Sequence, residues 1–273
     1  MTELKRRSLG RTGLMVPELG LGAMDTPTSP EGGDTLEAAL RAGITFIDTA
    51  REYAGSEMLI GQALRETDSP DDLCLASKTF SRTANGAQYD IDRSLRTLGR
   101  ERIALYQLHD VSTPDAWDAV MHEDGALAGL QAARFRGLID HIGISSHTAE
   151  IARRAITCGE FDTVMLEYSA FYPVTAPLID LAAEHDVGVI AMRPVGGSGR
   201  TSAIRGRIAE GYDGPLTPAN LLRYVWSTPG VSVAIPGARY PSRIHDNVAT
   251  ARDWLPMDEA EKRELEAEAA RLY

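Results

Sequence analysis

ITFIDTAREYAGSE, residues 44–57, opens as an apolar, β-prone run and breaks into a polar turn. Asp48 stands at the end of the run and Tyr53 five positions further on, close enough to share one pocket. A free tyrosine, with a pKa of about 10, is a poor acid. It becomes a useful proton donor only beside a positive charge that favours its anion. The rest of the chain has to supply that charge and something for the tyrosine to protonate.

Outward from this stretch, short apolar runs alternate with helical patterns. Strands are expected at 17–22, 45–49, 73–78, 103–109, 141–145, 163–168, 188–192 and 232–235. Helices are expected at 34–42, 56–65, 88–98, 126–135, 149–157, 176–184, 218–226 and 241–250, with a ninth at 258–271 closing the chain. The strands are near-continuous apolar runs, as in a parallel sheet covered on both faces. Gly43 suits a left-handed helix end. Asp258 and Glu261 have the spacing of a capping box. The longest irregular stretches are 110–114 with its following insert and 196–215. Residues 4–16 have room for a short hairpin.

Eight strand–helix units over residues 1–273 predict one α/β domain, a (β/α)8 TIM barrel. A doubly wound open sheet is the runner-up. It would want G-x-G-x-x-G after the first strand, and Asp25 stands where the third glycine would be.

The formal charge of −11 argues against non-specific nucleic-acid binding. No apolar window of membrane-spanning length and no apolar signal core occur, which points to a cytoplasmic protein with no membrane partner. Cys74 and Cys158 lack metal-ligand spacing and read as two reduced core residues. No exposed apolar stripe demands a partner, so a monomer or weak homo-oligomer is expected.

In a barrel the chemistry gathers at the C-terminal ends of the strands. Here those ends carry Asp48, Lys78 and His109, with Tyr53 behind the first. A lysine ending an apolar strand needs a partner, and Asp48 on the neighbouring strand is the candidate. Lys78 then lowers the Tyr53 pKa, Tyr53 donates a proton to a carbonyl oxygen, and His109 hydrogen-bonds that oxygen. Reduction should weaken as pH rises through the shifted Tyr53 value. Singly, each residue has an ordinary structural explanation; on three successive strand ends they form a site. Such a site needs a hydride source, and with no metal set in the sequence a nicotinamide is the natural one. A metal-dependent hydrolase fits worse, because His141 begins its strand at the wrong end of the barrel for His109 and His147.

LGLGAM (19–24), FIDTAREYAGSE (46–57), ASKT (76–79), YQLHD (106–110), HIGISSH (141–147), AMRPVGG (191–197) and AIPGARYPSRIHDN (234–247) resemble, in order and spacing, the aldo-keto reductases. The resemblance spans most of the chain. It implies a (β/α)8 barrel, reversible carbonyl reduction, and NADPH (NADP+) rather than NADH as cofactor. Asp48, Tyr53, Lys78 and His109 match the family's four catalytic positions. Arg243, Asp246 and Asn247 match positions that bind the adenosine end, with Arg239 adding a second cation, while Gly237 and Ala238 replace Lys-Ser. Ser145 matches the nicotinamide-side serine. Ser146, Met165 and Met192 stand in for an asparagine, a glutamine and an aromatic ring. Gly22, Ala23 and Met24 fall at the same end, and Arg193, Pro194, Gly196, Gly197 and Ser198 fall on the strand end and loop that touch the pyrophosphate.

These residues point to an NADPH-dependent reductase of a small-molecule aldehyde or ketone. An NAD(P)-dependent sugar or alcohol dehydrogenase shares the same site, and a non-catalytic nucleotide sensor is the reading from another class. Met24, Phe80, Trp117 and a loop at 199–212 are candidate substrate walls, with helix packing the competing role for Trp117.

Overall fold

The computed structural model describes residues 3–67 and 70–272. Strands β1 (Arg6–Ser8) and β2 (Met15–Pro17) form the expected antiparallel hairpin. Eight further strands follow: β3 (Leu21–Gly22), β4 (Phe46–Asp48), β5 (Cys74–Thr79), β6 (Ile103–Leu108), β7 (Ile139–Ser146), β8 (Thr163–Glu167), β9 (Gly188–Met192) and β10 (Val231–Ile235). Each pairs in parallel with its neighbour in sequence. The ring closes where Gly20 N–H donates to Ala234 O at 2.8 Å and Ala234 N–H donates to Glu18 O at 2.9 Å. The predicted barrel is therefore the observed fold.

Outside the ring lie α1 (Pro30–Arg41), α2 (Ser56–Glu66), α3 (Ala84–Leu98), α4 (Pro114–Met121), α5 (Ala126–Phe135), α6 (Ala149–Thr157), α7 (Ala176–Glu184), α8 (Gly197–Ala209), α9 (Pro218–Trp226), α10 (Pro241–Asp253) and α11 (Glu259–Ala270). The Asp258–Glu261 capping box is formed at the start of α11. Among the described residues no helix is long and apolar enough to cross a membrane.

Successive strand residues face opposite sides of a sheet, which builds two cores. One fills the space between strands and helices. The other, with Leu9, Phe46, Ala76, Leu105, Met165 and Val233, fills the barrel. The hairpin plugs its foot. Gly10 has φ +53°, and a Cβ there would lie 2.2 Å from Gly188 N, so only glycine lets the turn sit flush on β9. The Arg7 guanidinium donates to Trp226 O at 2.6 Å and to Val231 O at 2.9 Å.

Three sequence expectations need correction. Residues 197–209, expected irregular, form α8; it buries only Ile204, so it shows little apolar periodicity. The insert after β6 holds α4, where the Thr113 side chain accepts from Ala116 N–H and Pro114 takes the first turn. Cys158 is exposed rather than core, because it caps α6 outside the packed face; Cys74 is buried. Trp117 packs its ring 6.3 Å from that of Phe161, the helix-packing role rather than a pocket wall.

Candidate active site

The inward rows of the strands read as apolar residues that turn polar at the top. On β4 the row runs Phe46, Asp48; on β5, Cys74, Ala76, Lys78; on β6, Leu105, Gln107, with His109 next. Period-two alternation alone thus delivers Asp48, Lys78 and His109 to one end of the barrel. Lys78 Nζ donates to Asp48 Oδ2 at 2.6 Å, to Thr49 O at 2.8 Å and to the Tyr53 hydroxyl at 3.4 Å. Gln107 Nε2 donates to Asp48 Oδ1 at 3.1 Å, so both carboxylate oxygens have partners. Sequence reasoning passed over Gln107, although its place two residues before His109 puts it on the same face.

Tyr53 and His109 meet edge to face, with ring centroids 5.5 Å apart. Phe80 packs on His109 in the same way at 5.6 Å, its own ring covered by the Arg82 guanidinium. Arg82 also donates to the carbonyls of His109 and Asp110, at 2.9 and 2.8 Å. His109 Nδ1 lies 2.9 Å from Glu52 Oε2, a partner the sequence did not disclose.

The electrostatics reverse one expectation. Burial, and then the carboxylates of Asp48 and Glu52, raise the Tyr53 pKa above the ordinary tyrosine value; Arg193 acts the other way. Burial also lowers the pKa of Lys78, against its attraction to Asp48. In this state the surrounding negative charge and low polarity outweigh the positive charge near Tyr53, so its pKa lies above rather than below the ordinary value.

The four residues open into a cleft of about 780 Å³ that crosses the barrel mouth. Of the positions predicted for a cofactor, Gly22, Met24, Asp48, Ser145, Met165, Met192, Arg193, Pro194, Gly196, Gly197, Ser198, Gly237, Arg239 and Arg243 line it. Ala23 and Ser146 are buried behind the wall. Asp246 is exposed on α10 and pairs with Arg243 at 3.4 Å, and Asn247 is buried in the same helix. The non-glycine residues Asp110 and Arg193 have φ of +48° and +51°, just past the ends of β6 and β9. Such costly backbone collects at functional sites. Ser145 Oγ accepts from Asp110 N–H at 2.8 Å, which helps hold the first of these turns. Gly196 and Gly197, at φ +84° and +81°, turn the chain from β9 into α8. Asp25, on the opposite lip, accepts from the Ser198 hydroxyl and lies 3.7 Å from the Arg239 guanidinium.

Residues 18–215 match the family model described as the aldo/keto reductase family. The chain belongs to this family. As a member it is similar to the uncharacterized oxidoreductase YqkF of Bacillus subtilis (strain 168), at 27% identity over 70% of this chain and 65% of that protein. The chain thus spans just under two thirds of that relative's length. It is also similar to L-galactose dehydrogenase of Arabidopsis thaliana, at 27% identity over 98% of this chain and 95% of that one. The holo form of an aldo-keto reductase from Bacillus halodurans shares the fold, with a TM-score of 0.79 and 24% identity over 99% of this chain and 96% of that one. Aldo/keto reductases are oxidoreductases that use a nicotinamide cofactor on small carbonyl compounds.

Proposed function

We propose that this aldo/keto reductase reduces an aldehyde or ketone with NADPH, with Tyr53 as the proton donor. The observation that carries the reading is the 3.4 Å contact between the Tyr53 hydroxyl and Lys78 Nζ, at one end of a cleft whose other end holds Arg239 and Arg243. The cleft fits a dinucleotide phosphate. Its far end offers two guanidinium groups at the start of α10, where free amides and the helix dipole favour an anion. Its middle is lined by Gly196, Gly197 and Ser198, where backbone can come close to a pyrophosphate. Its near end offers Ser145 and the packing surfaces of Met165 and Met192.

When bound, the reduced nicotinamide supplies the hydride. The chain's own groups do the rest. Tyr53 gives its proton to the carbonyl oxygen. Lys78, held by Asp48 and Thr49 O, offsets the negative charge left on the phenolic oxygen. His109 contacts the same carbonyl oxygen from the neighbouring strand end.

The oxidative direction is the second reading, because L-galactose dehydrogenase is similar over nearly its full length. The test is consumption of NADPH against NADH with a panel of aldehydes, ketones and sugars, with Tyr53→Phe alongside. Loss of at least about 100-fold in kcat/KM, with NADPH affinity kept, is expected for a lost general acid. A wild-type rate in that variant would remove Tyr53 from the mechanism. Turnover only with NADP+ or NAD+ and a sugar would select the dehydrogenase.

A further inference from the structure

Lys78 points into the barrel, so its neighbours on β5, Ser77 and Thr79, point out of it toward α2 and α3. Both hydroxyls end on carboxylates. Ser77 Oγ donates to Glu57 Oε1 at 2.6 Å, and Thr79 Oγ1 donates to Asp90 Oδ2 at 2.5 Å. A cation lies between the two acids. The Arg51 guanidinium donates through Nη1 to Glu57 Oε2, and its buried Nε, which has no hydrogen-bond partner, lies 3.9 Å from Asp90 Oδ1. The Glu57 side chain is only 3% exposed. A carboxylate so enclosed needs a cation beside it, and Arg51 supplies one. Arg51 stands two residues before Tyr53. Its own N–H donates to Lys78 O at 3.2 Å, and Tyr53 N–H donates to Ala50 O at 3.2 Å, so a short turn joins guanidinium and phenol. A closed circuit results. It runs from the Tyr53 hydroxyl through the turn to Arg51, across Glu57 and Asp90 to Ser77 and Thr79, and along β5 to Lys78 Nζ, 3.4 Å from the hydroxyl. None of the bridging groups lines the cleft.

We propose that Arg51 is a positioning residue: gripped by Glu57 and Asp90 behind β5, it sets the reach of the Tyr53 hydroxyl to Lys78 and to the substrate oxygen. The kinetic consequences rest on the carbonyl-reductase reading of the site; the geometry does not. Asp48 holds Lys78 from inside the barrel, and Arg51 holds Tyr53 from outside it, so the two members of the proton-donating pair are fixed from opposite faces of the sheet. A planar, forked guanidinium suits a seat between two carboxylates, whereas an ammonium is a compact point charge that serves one of them. Placement matters at this scale, because a reacting group displaced by about 1 Å can cost on the order of 100-fold in rate.

The test uses the full-length protein. In the double variant Arg51→Met with Glu57→Gln both charges leave together, so no buried carboxylate is stranded, and the glutamine oxygen can still accept from Ser77. The kcat for carbonyl reduction is expected to fall by about 100-fold, with the Kd for NADPH unchanged. A crystal structure of the cofactor-free variant should show the Tyr53 hydroxyl out of hydrogen-bond reach of Lys78. Arg51→Lys keeps the charge and loses the fork, and a loss of about tenfold is expected, between wild type and double variant. If the double variant does not fold, Arg51→Lys decides by the same two measurements. A loss of NADPH affinity in proportion to kcat would mark a general loosening and overturn the proposal. So would a double variant with Tyr53 still 3.4 Å from Lys78, or Arg51→Lys with the wild-type kcat. If the wild type turns over no carbonyl, the reductase reading fails, and the Tyr53–Lys78 distance in the variants still decides the positioning role.

Discussion

The Lys78 ammonium donates to the Asp48 carboxylate over 2.6 Å with side-chain exposures of only 1% and 3%. Two charges sealed from water are tolerable together and costly apart. Asp48→Asn or Lys78→Met should each destabilise the fold by about 3–5 kcal/mol. The double variant should recover much of that loss while remaining inactive. Chemical denaturation of all four proteins measures the coupling. Single variants as stable as the wild type would mean that the pair is not ionised together.

Tyr53 should set no alkaline limit on reduction in the accessible range. Its folded pKa lies above the ordinary value, so the acid form persists below that value and is lost only beyond it. Oxidation needs the phenolate as base, and should therefore accelerate with pH throughout. Arg193→Ala removes a positive charge that favours the phenolate and should shift the oxidative rise to higher pH. Rate profiles in both directions check this. A reductive decline below about pH 9 that moves upward in Arg193→Ala would assign it to Tyr53 after all.

Cofactor choice should respond to Asp25. Its carboxylate, 3.7 Å from the Arg239 guanidinium, competes with any phosphate placed there. Asp25→Asn should raise the preference for NADPH over NADH by a factor of up to about 5, the range of a partly exposed ion pair. Losing the Ser198 contact weakens both cofactors alike, so the ratio of their Kd values isolates the charge. An unchanged ratio would place the 2′-phosphate away from Arg239.

What could be read from the sequence follows the strength of local periodicity. The barrel strands are legible because a parallel sheet covered on both faces needs continuous apolar runs, and the polar residue ending each inward row stands out against them. Asp48, Lys78 and His109 are found for that reason. Helix α8 is not, since Gly197, Gly199 and Gly206 weaken the helical signal and one buried side chain gives no stripe. Helix α4 carried a readable start in Thr113-Pro114. Glu52 was invisible because its partner lies 57 positions away and nothing local marks the pairing. The direction of the Tyr53 shift needed the burial and the second carboxylate, which sequence spacing does not supply.

The hairpin beneath the barrel joins distant parts of the chain: Arg7 meets the carbonyls of Trp226 and Val231, 219 and 224 positions away. The hairpin itself pairs across a few residues and can form early. Its docking, like the closure of Gly20 on Ala234, encloses almost the whole chain in one loop, and contacts so remote in sequence form slowly. We predict that pulse-labelled hydrogen exchange during refolding will protect the amides of β4–β6 before that of Gly20. Equal protection times would refute this order. During synthesis the foot of the barrel then stays open until residues 226–235 have left the ribosome, so the first barrel strand made, β3, is among the last to be paired on both sides.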